Sequence, residues 1–91
     1  AYDDLVFRVH AIRRMFERGI TEVMFAVLEN GQVIEEYPDD SPYPSRLVLG
    51  QCGGRPLHVL ASDDAGERVT VIITVYEPDP QRWDATFRHR R

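Results

Sequence analysis

Three residues near the N-terminus have side chains suited to phosphate chemistry. His10, Arg14 and Arg18 recur every four residues, which places them in one column on a helix. Guanidinium groups offer paired donors to a phosphate, and a histidine that titrates near neutrality can move a proton. The column therefore predicts a phosphate-binding face. A solvated helix face, whose arginine stems cover apolar surface, is the more common explanation of the same spacing.

A second group of candidate residues lies in a hairpin. Its strands are the β-branched runs Leu57 to Ala61 and Val69 to Tyr76, and His58 lies in the first. Tyr76 and Thr74 share the sheet face of His58 only in some registers. A turn of odd length pairs His58 with even-numbered residues, and a turn of even length pairs it with odd-numbered ones. The alternative is a half-buried, hydrogen-bonded His58 beside a Tyr76 with a solvated hydroxyl.

Metal and cofactor chemistry is not predicted. None of the three histidines, His10, His58 and His89, stands at helical spacing from another suitable ligand. The single cysteine, Cys52, excludes an internal disulfide and a cysteine-based zinc cluster. The glycines between the strands fit turns, because none of them precedes a helix as a phosphate-binding loop would require.

Composition predicts one domain over residues 1–91 with a net charge of -4. All 11 basic residues are arginine, and residues 29–67 carry two of them against eight acids. Since the net charge is acidic, any RNA contact needs a local basic patch. A cytoplasmic protein without membrane association is expected, because no apolar run approaches ~20 residues and the first residues carry acids where a signal peptide has basic residues.

The N-terminal third predicts two short helices. Apolar residues recur at helical spacing over Val9 to Arg18, and Gly19 follows as a helix terminator. Thr21 is a natural N-cap for a second helix that stops at Asn30 and Gly31. The preceding run, Leu5 to Arg8, is too short to distinguish a strand from the approach to a helix.

The remainder predicts strands. Gln32 to Tyr37 and Arg46 to Gln51 alternate as strands and precede the hairpin. The fold class expected is therefore α+β: two N-terminal helices packed on one face of a four-stranded antiparallel sheet. Alternation predicts that Val69, Val71, Ile73 and Val75 form the floor under the helices. After the hairpin, Trp83 and Phe87 suggest one helical turn, and Arg88 to Arg91 a solvated end.

Several stretches together resemble a prokaryotic family known as domain of unknown function 4258. The resemblance covers essentially the whole chain, and the combination is specific although each piece alone is not. The stretches are HAIRRMFERGIT at His10 to Thr21, VMFAVLENG at Val23 to Gly31, VIEEYPDDSPYPS at Val33 to Ser45, GRPLHV at Gly54 to Val59 and TVYEPDPQRW at Thr74 to Trp83.

The resemblance implies a RelE-like layout and a small toxin-like protein. Genes of this family often adjoin those of zinc-finger antitoxins of the type paired with the MqsR toxin, so such an antitoxin is an expected partner. A metal-independent ribonuclease would need a base, an acid and cations on the phosphate. The implied roles are His58 or His10 as acid or base, Tyr76 as alternative proton donor, and Arg14, Arg18 and Arg55 on the phosphate.

A protein-interaction module without catalysis is the competing hypothesis. In that case the same stretches supply a helix cap, a sheet core and a docking edge. The partner would be an antitoxin-like protein or a second copy of the chain in a homodimer. Whether the protein is an enzyme therefore depends on how the candidate residues meet.

Overall fold

A computed structural model of the chain describes residues 4–7 and 20–91. The predicted first helix, Val9 to Arg18, lies outside the described residues together with His10, Arg14 and Arg18. The elements are β1 Asp4–Phe7, α1 Ile20–Asn30, β2 Gln32–Tyr37, β3 Ser45–Cys52, β4 Arg55–Asp64 and β5 Val69–Tyr76. The predicted second helix and the four predicted strands are therefore present, with bounds shifted by three residues or fewer.

The five strands form one mixed sheet in the order β1-β5-β4-β3-β2. Strand β1 runs parallel to β5, from Asp4 opposite Val69 to Phe7 opposite Ile72, and the other pairs are antiparallel. The predicted fold, two helices on a four-stranded antiparallel sheet of RelE-like layout, is therefore wrong. The described residues contain one helix and five strands. A parallel pair joins distant parts of the chain, so the short run at β1 carried no local sign of its partner.

Helix α1 packs on one face of the sheet. Met24 and Val27 of the helix are buried against aliphatic side chains of β3, β4 and β5. Gly50 of β3 allows this approach, since a Cβ there would lie 2.7 Å from Cγ1 of Val27. The sheet side of the core consists of Val48, Leu57, Val59, Ala61, Ile72 and Val75.

A β-bulge sets the register of the β4–β5 hairpin. Asp64 pairs with Val69 across a four-residue turn, so an even-length turn alone would pair His58 with an odd-numbered residue. Ile73 is left unpaired where the register shifts, and beyond it His58 pairs with Tyr76. The bulge therefore moves Tyr76 onto the sheet face of His58.

The same bulge changes which residues of β5 reach the core. Ile72 and Val75 belong to the buried cluster under α1, whereas Val69, Val71 and Ile73 are only partly buried. The predicted floor of four alternating residues is therefore wrong except at Val75. Strict alternation fails because one unpaired residue reverses the facing of everything before it.

The C-terminal segment, residues 77–91, covers the opposite face of the sheet. It contains turns and an isolated bridge between Trp83 and Arg90 rather than the helical turn predicted at Trp83 and Phe87. Backbone and side-chain bonds to Asp84 stabilise the turn, including those from Phe87 N to the Asp84 carbonyl and from Thr86 N to its carboxylate. Among the described residues no helix has the length and apolarity to cross a membrane.

Candidate functional site

His58 is fully buried at the centre of the covered face. Its Nε2 lies 2.8 Å from the carbonyl oxygen of Phe87, which can only accept, so Nε2 carries the ring proton. Its Nδ1 lies 3.1 Å from the hydroxyl oxygen of Tyr76. In the neutral imidazole Nδ1 has a lone pair, and Tyr76 therefore donates its hydroxyl proton to it.

Two aromatic rings enclose the imidazole. The Trp83 ring stands edge to face against His58 with centroids 4.5 Å apart, and the Tyr76 ring does so at 5.2 Å. Burial lowers the pKa of His58, while the Phe87 carbonyl and the charge of Glu35 act in the opposite direction. The imidazole is therefore neutral at neutral pH and available as a proton acceptor.

Tyr76 is the member of the pair that solvent reaches. It ends β5 and is 36% exposed. Burial of part of the ring raises the pKa of Tyr76, and the positive charge of Arg90 opposes this. The phenol therefore keeps its proton at neutral pH and donates it in the hydrogen bond to His58 Nδ1.

A charged cluster adjoins the pair. Glu35 accepts two hydrogen bonds from Arg90, at 3.1 Å from Nε and 3.1 Å from Nη2, and a further one from the Tyr37 hydroxyl. The bond from Arg90 lowers the pKa of Glu35, although partial burial opposes it. The Arg90 guanidinium also lies over the Trp83 ring, 4.7 Å from its centroid. The cluster thus places a carboxylate near His58, and the pair of Arg90 with Glu35 joins the C-terminal segment to β2.

A second bulge places Glu35 on the same face of the sheet as His58. Val33 pairs with Val48 and Glu35 pairs with Leu47, which leaves Ile34 unpaired. Without that extra residue, Glu35 would face the side of the sheet occupied by α1. Both bulges therefore bring a polar side chain to the His58 face.

The structure unites two of the predicted site residues. His58 and Tyr76 are hydrogen-bonded, but through an even-length turn with a bulge, a register that was not among the predicted ones. Arg55 is three residues before His58, so its side chain projects from the opposite face of β4. There it pairs with Glu77 at 3.4 Å on the surface. The remaining predicted residues, His10, Arg14 and Arg18, lie outside the described residues.

Sequence reasoning missed the residues that complete the site. The residues of the predicted solvated end, Arg88 to Arg91, are all exposed, but Arg90 also pairs with Glu35 and Arg88 Nε donates to Gln32 Oε1 at 2.6 Å. Trp83 is 3% exposed. The one available signal was this tryptophan, the only one in the chain, within a segment rich in arginine. Residues 78–91 contain four arginines and two aspartates, which makes this segment a basic patch on an acidic chain.

The side chains at the centre of the site, His58 and Tyr76, are of types that can accept and donate protons. In the part of the chain that the structure describes, no group of three or more histidine, cysteine, aspartate or glutamate side chains could hold a metal ion. A proton accepted by the Tyr76 oxygen can be matched by transfer of the Tyr76 proton to His58 Nδ1.

The family model of a domain of unknown function, DUF4258, matches residues 7–77. The chain belongs to the DUF4258 family. The predicted membership is confirmed, and the match includes His58, Tyr76 and Glu35 but ends before Trp83 and Arg90. No curated protein and no solved structure matches the chain.

Proposed function

We propose that this DUF4258 protein is a toxin-like ribonuclease that cleaves single-stranded RNA without a metal ion. The observation that carries the proposal is that Tyr76, a partly exposed residue, hydrogen-bonds through its hydroxyl to the unprotonated Nδ1 of buried His58. RNA contains its own nucleophile, the ribose 2′-hydroxyl, so an enzyme needs to supply proton transfer and charge stabilisation.

In the proposed step Tyr76 contacts the RNA and His58 acts behind it. The 2′-hydroxyl proton moves to the Tyr76 oxygen while the Tyr76 proton moves to His58 Nδ1. The 2′-oxygen forms a bond to phosphorus, the bond from phosphorus to the 5′-oxygen breaks, and a 2′,3′-cyclic phosphate results. The low pKa of His58 keeps it unprotonated beforehand, and the Glu35 carboxylate favours the imidazolium once it forms.

The departing 5′-oxygen and the phosphate need further groups. We assign the acid to His10 and the phosphate contacts to Arg14 and Arg18, on the spacing of these residues in the sequence. Arg55 is left out of the proposed site, because its side chain leaves the face opposite Tyr76 and pairs with Glu77.

The test is cleavage of end-labelled single-stranded RNA by the purified protein in excess EDTA. Tyr76→Phe keeps the ring and removes the hydroxyl, and it should lower the cleavage rate by about 10²- to 10⁴-fold. Tyr43→Phe is the matched control, since this tyrosine lies in the loop between β2 and β3 and should retain the wild-type rate. Absence of cleavage by the wild type, or a Tyr76→Phe rate equal to it, would refute the proposal.

An interaction module without catalysis is the second candidate. It is favoured by the complete occupation of the His58 nitrogens and by Val33, which is 44% exposed on β2 at one end of the strand order. The partner bound at this edge would be a zinc-finger antitoxin or a second copy of the chain. Expression from a tightly controlled promoter separates the candidates: growth arrest relieved by His58→Ala supports the ribonuclease, whereas normal growth with intact RNA supports the module.

A further inference from the structure

A pocket of about 430 Å³ lies where the C-terminal end of α1 meets the start of β2, the end of β3 and Arg88 of the C-terminal segment. Its size is typical of small-molecule sites, which range over ~300–1,000 Å³. Val27 and Leu49 provide apolar wall, and Asn30, Gln51 and Arg88 provide polar groups. The pocket therefore combines a hydrophobic surface with a few hydrogen-bonding side chains.

The polar groups include three uncharged amides. Arg88 Nε donates to Gln32 Oε1 at 2.6 Å, which holds Gln32 in place and leaves its amide nitrogen as a donor. Asn30 and Gln51 each offer a donor and an acceptor on the pocket wall. Amides of this kind match the mixed donor and acceptor edge of a nucleobase, whereas a simple anion would use donors alone.

Two parts of the chain connect the pocket with the Tyr76–His58 pair. Leu49, which lines the pocket, is the register partner of His58 on β3, while Tyr76 is its partner on β5. Arg88 follows Phe87, whose carbonyl accepts the proton of His58 Nε2. Leu49 and Tyr76 are thus on opposite sides of His58, two strand spacings or ~10 Å apart.

We infer that this pocket binds the base of a nucleotide next to the phosphodiester that is cleaved beside Tyr76, an inference that rests on the proposed ribonuclease function. The amides of Asn30, Gln32 and Gln51 contact the hydrogen-bonding edge of the base. The base packs on Leu49 and Val27, and Arg88 contacts its sugar or phosphate. Cleavage consequently depends on the identity of one base beside the broken bond.

Binding is tested by NMR titration of the ¹⁵N-labelled protein with each of the four nucleoside 3′-monophosphates in EDTA. One or two of the nucleotides should shift the amide signals of Leu49, Gln51 and Arg88 and bind at least threefold more tightly than the others. Gln51→Ala should weaken that binding about tenfold. Gln81→Ala, an exposed glutamine in the C-terminal segment, is the matched control and should bind as the wild type does.

Two results would overturn the inference. Equal binding of all four nucleotides, with Gln51→Ala unchanged, would show that the pocket does not contact a base. Inorganic phosphate that reproduces the same shifts would show an anion site at Arg88 instead.

Sequencing of the RNA fragments separates this inference from the proposed function. If the wild type cleaves RNA and Gln51→Ala cleaves with the same base preference, the base pocket is refuted while the ribonuclease stands. If nucleotides bind selectively but RNA is not cleaved, the ribonuclease is refuted while the binding site stands.

Discussion

Replacement of Trp83 by alanine should release the C-terminal segment from the sheet. Trp83 is 3% exposed and contacts both the His58 ring and the Arg90 guanidinium. Truncation of a buried tryptophan to alanine lowers the free energy of unfolding by about 3–5 kcal/mol. The contact between two aromatic rings accounts for ~0.5–1.5 kcal/mol of that loss. Domains of this size are stable by ~5–15 kcal/mol, so this one anchor accounts for a large part of the free energy of unfolding.

The loss is measured by urea unfolding followed by far-ultraviolet circular dichroism, because the variant lacks the only tryptophan and its fluorescence. Trp83→Phe retains an aromatic ring and should lose less than half as much stability as Trp83→Ala. Amide exchange should also become faster at Asp84 and Arg91, whose backbone N–H groups donate to the carbonyls of His89 and Arg82 beside Trp83. A loss below ~1 kcal/mol would show that the segment is held without Trp83, which would contradict the reasoning.

Two further perturbations test the body of the fold. Burial lowers the pKa of His58, so the unfolded state takes up a proton more readily than the folded state does. The free energy of unfolding should therefore fall as the pH drops below about 6.5. Urea titrations should show this pH dependence in the wild type and in the control His89→Asn, but not in His58→Asn. Gly50→Ala would place a Cβ 2.7 Å from Val27 Cγ1 and should lower the stability by about 1–3 kcal/mol. Adding Val27→Ala should restore part of this stability, and Gly66→Ala should change it little. Equal losses of stability for the two glycine variants in thermal unfolding would rule the contact out.

Local sequence features predicted the individual elements well. Alternating apolar residues gave the bounds of β2 and β5, and the glycine pair between β3 and β4 adopts the positive φ angles that a tight turn requires. The helix ending at Asn30 followed from apolar spacing and the glycine after it. These features act over a few residues, so the local sequence is enough to predict where each element begins and ends.

The sequence was uninformative about how the elements combine. The parallel contact of β1 with β5 joins residues more than sixty positions apart, and the short β1 run does not reveal it. The unpaired residues Ile34 and Ile73 look like ordinary strand residues. Each nevertheless reverses the facing of its strand, which decided whether Glu35 and Tyr76 could reach the His58 face.

The direction of the hydrogen bond between Tyr76 and His58 is set by the backbone of the C-terminal segment. Phe87 has a φ of 59°, a left-handed conformation that side chains disfavour, and its carbonyl is directed at His58 Nε2. Since that carbonyl fixes the ring proton on Nε2, the lone pair of Nδ1 must face Tyr76. The residues matched by the DUF4258 model supply His58 and Tyr76, whereas Phe87 lies beyond them. The segment therefore determines which nitrogen of His58 can accept a proton from Tyr76.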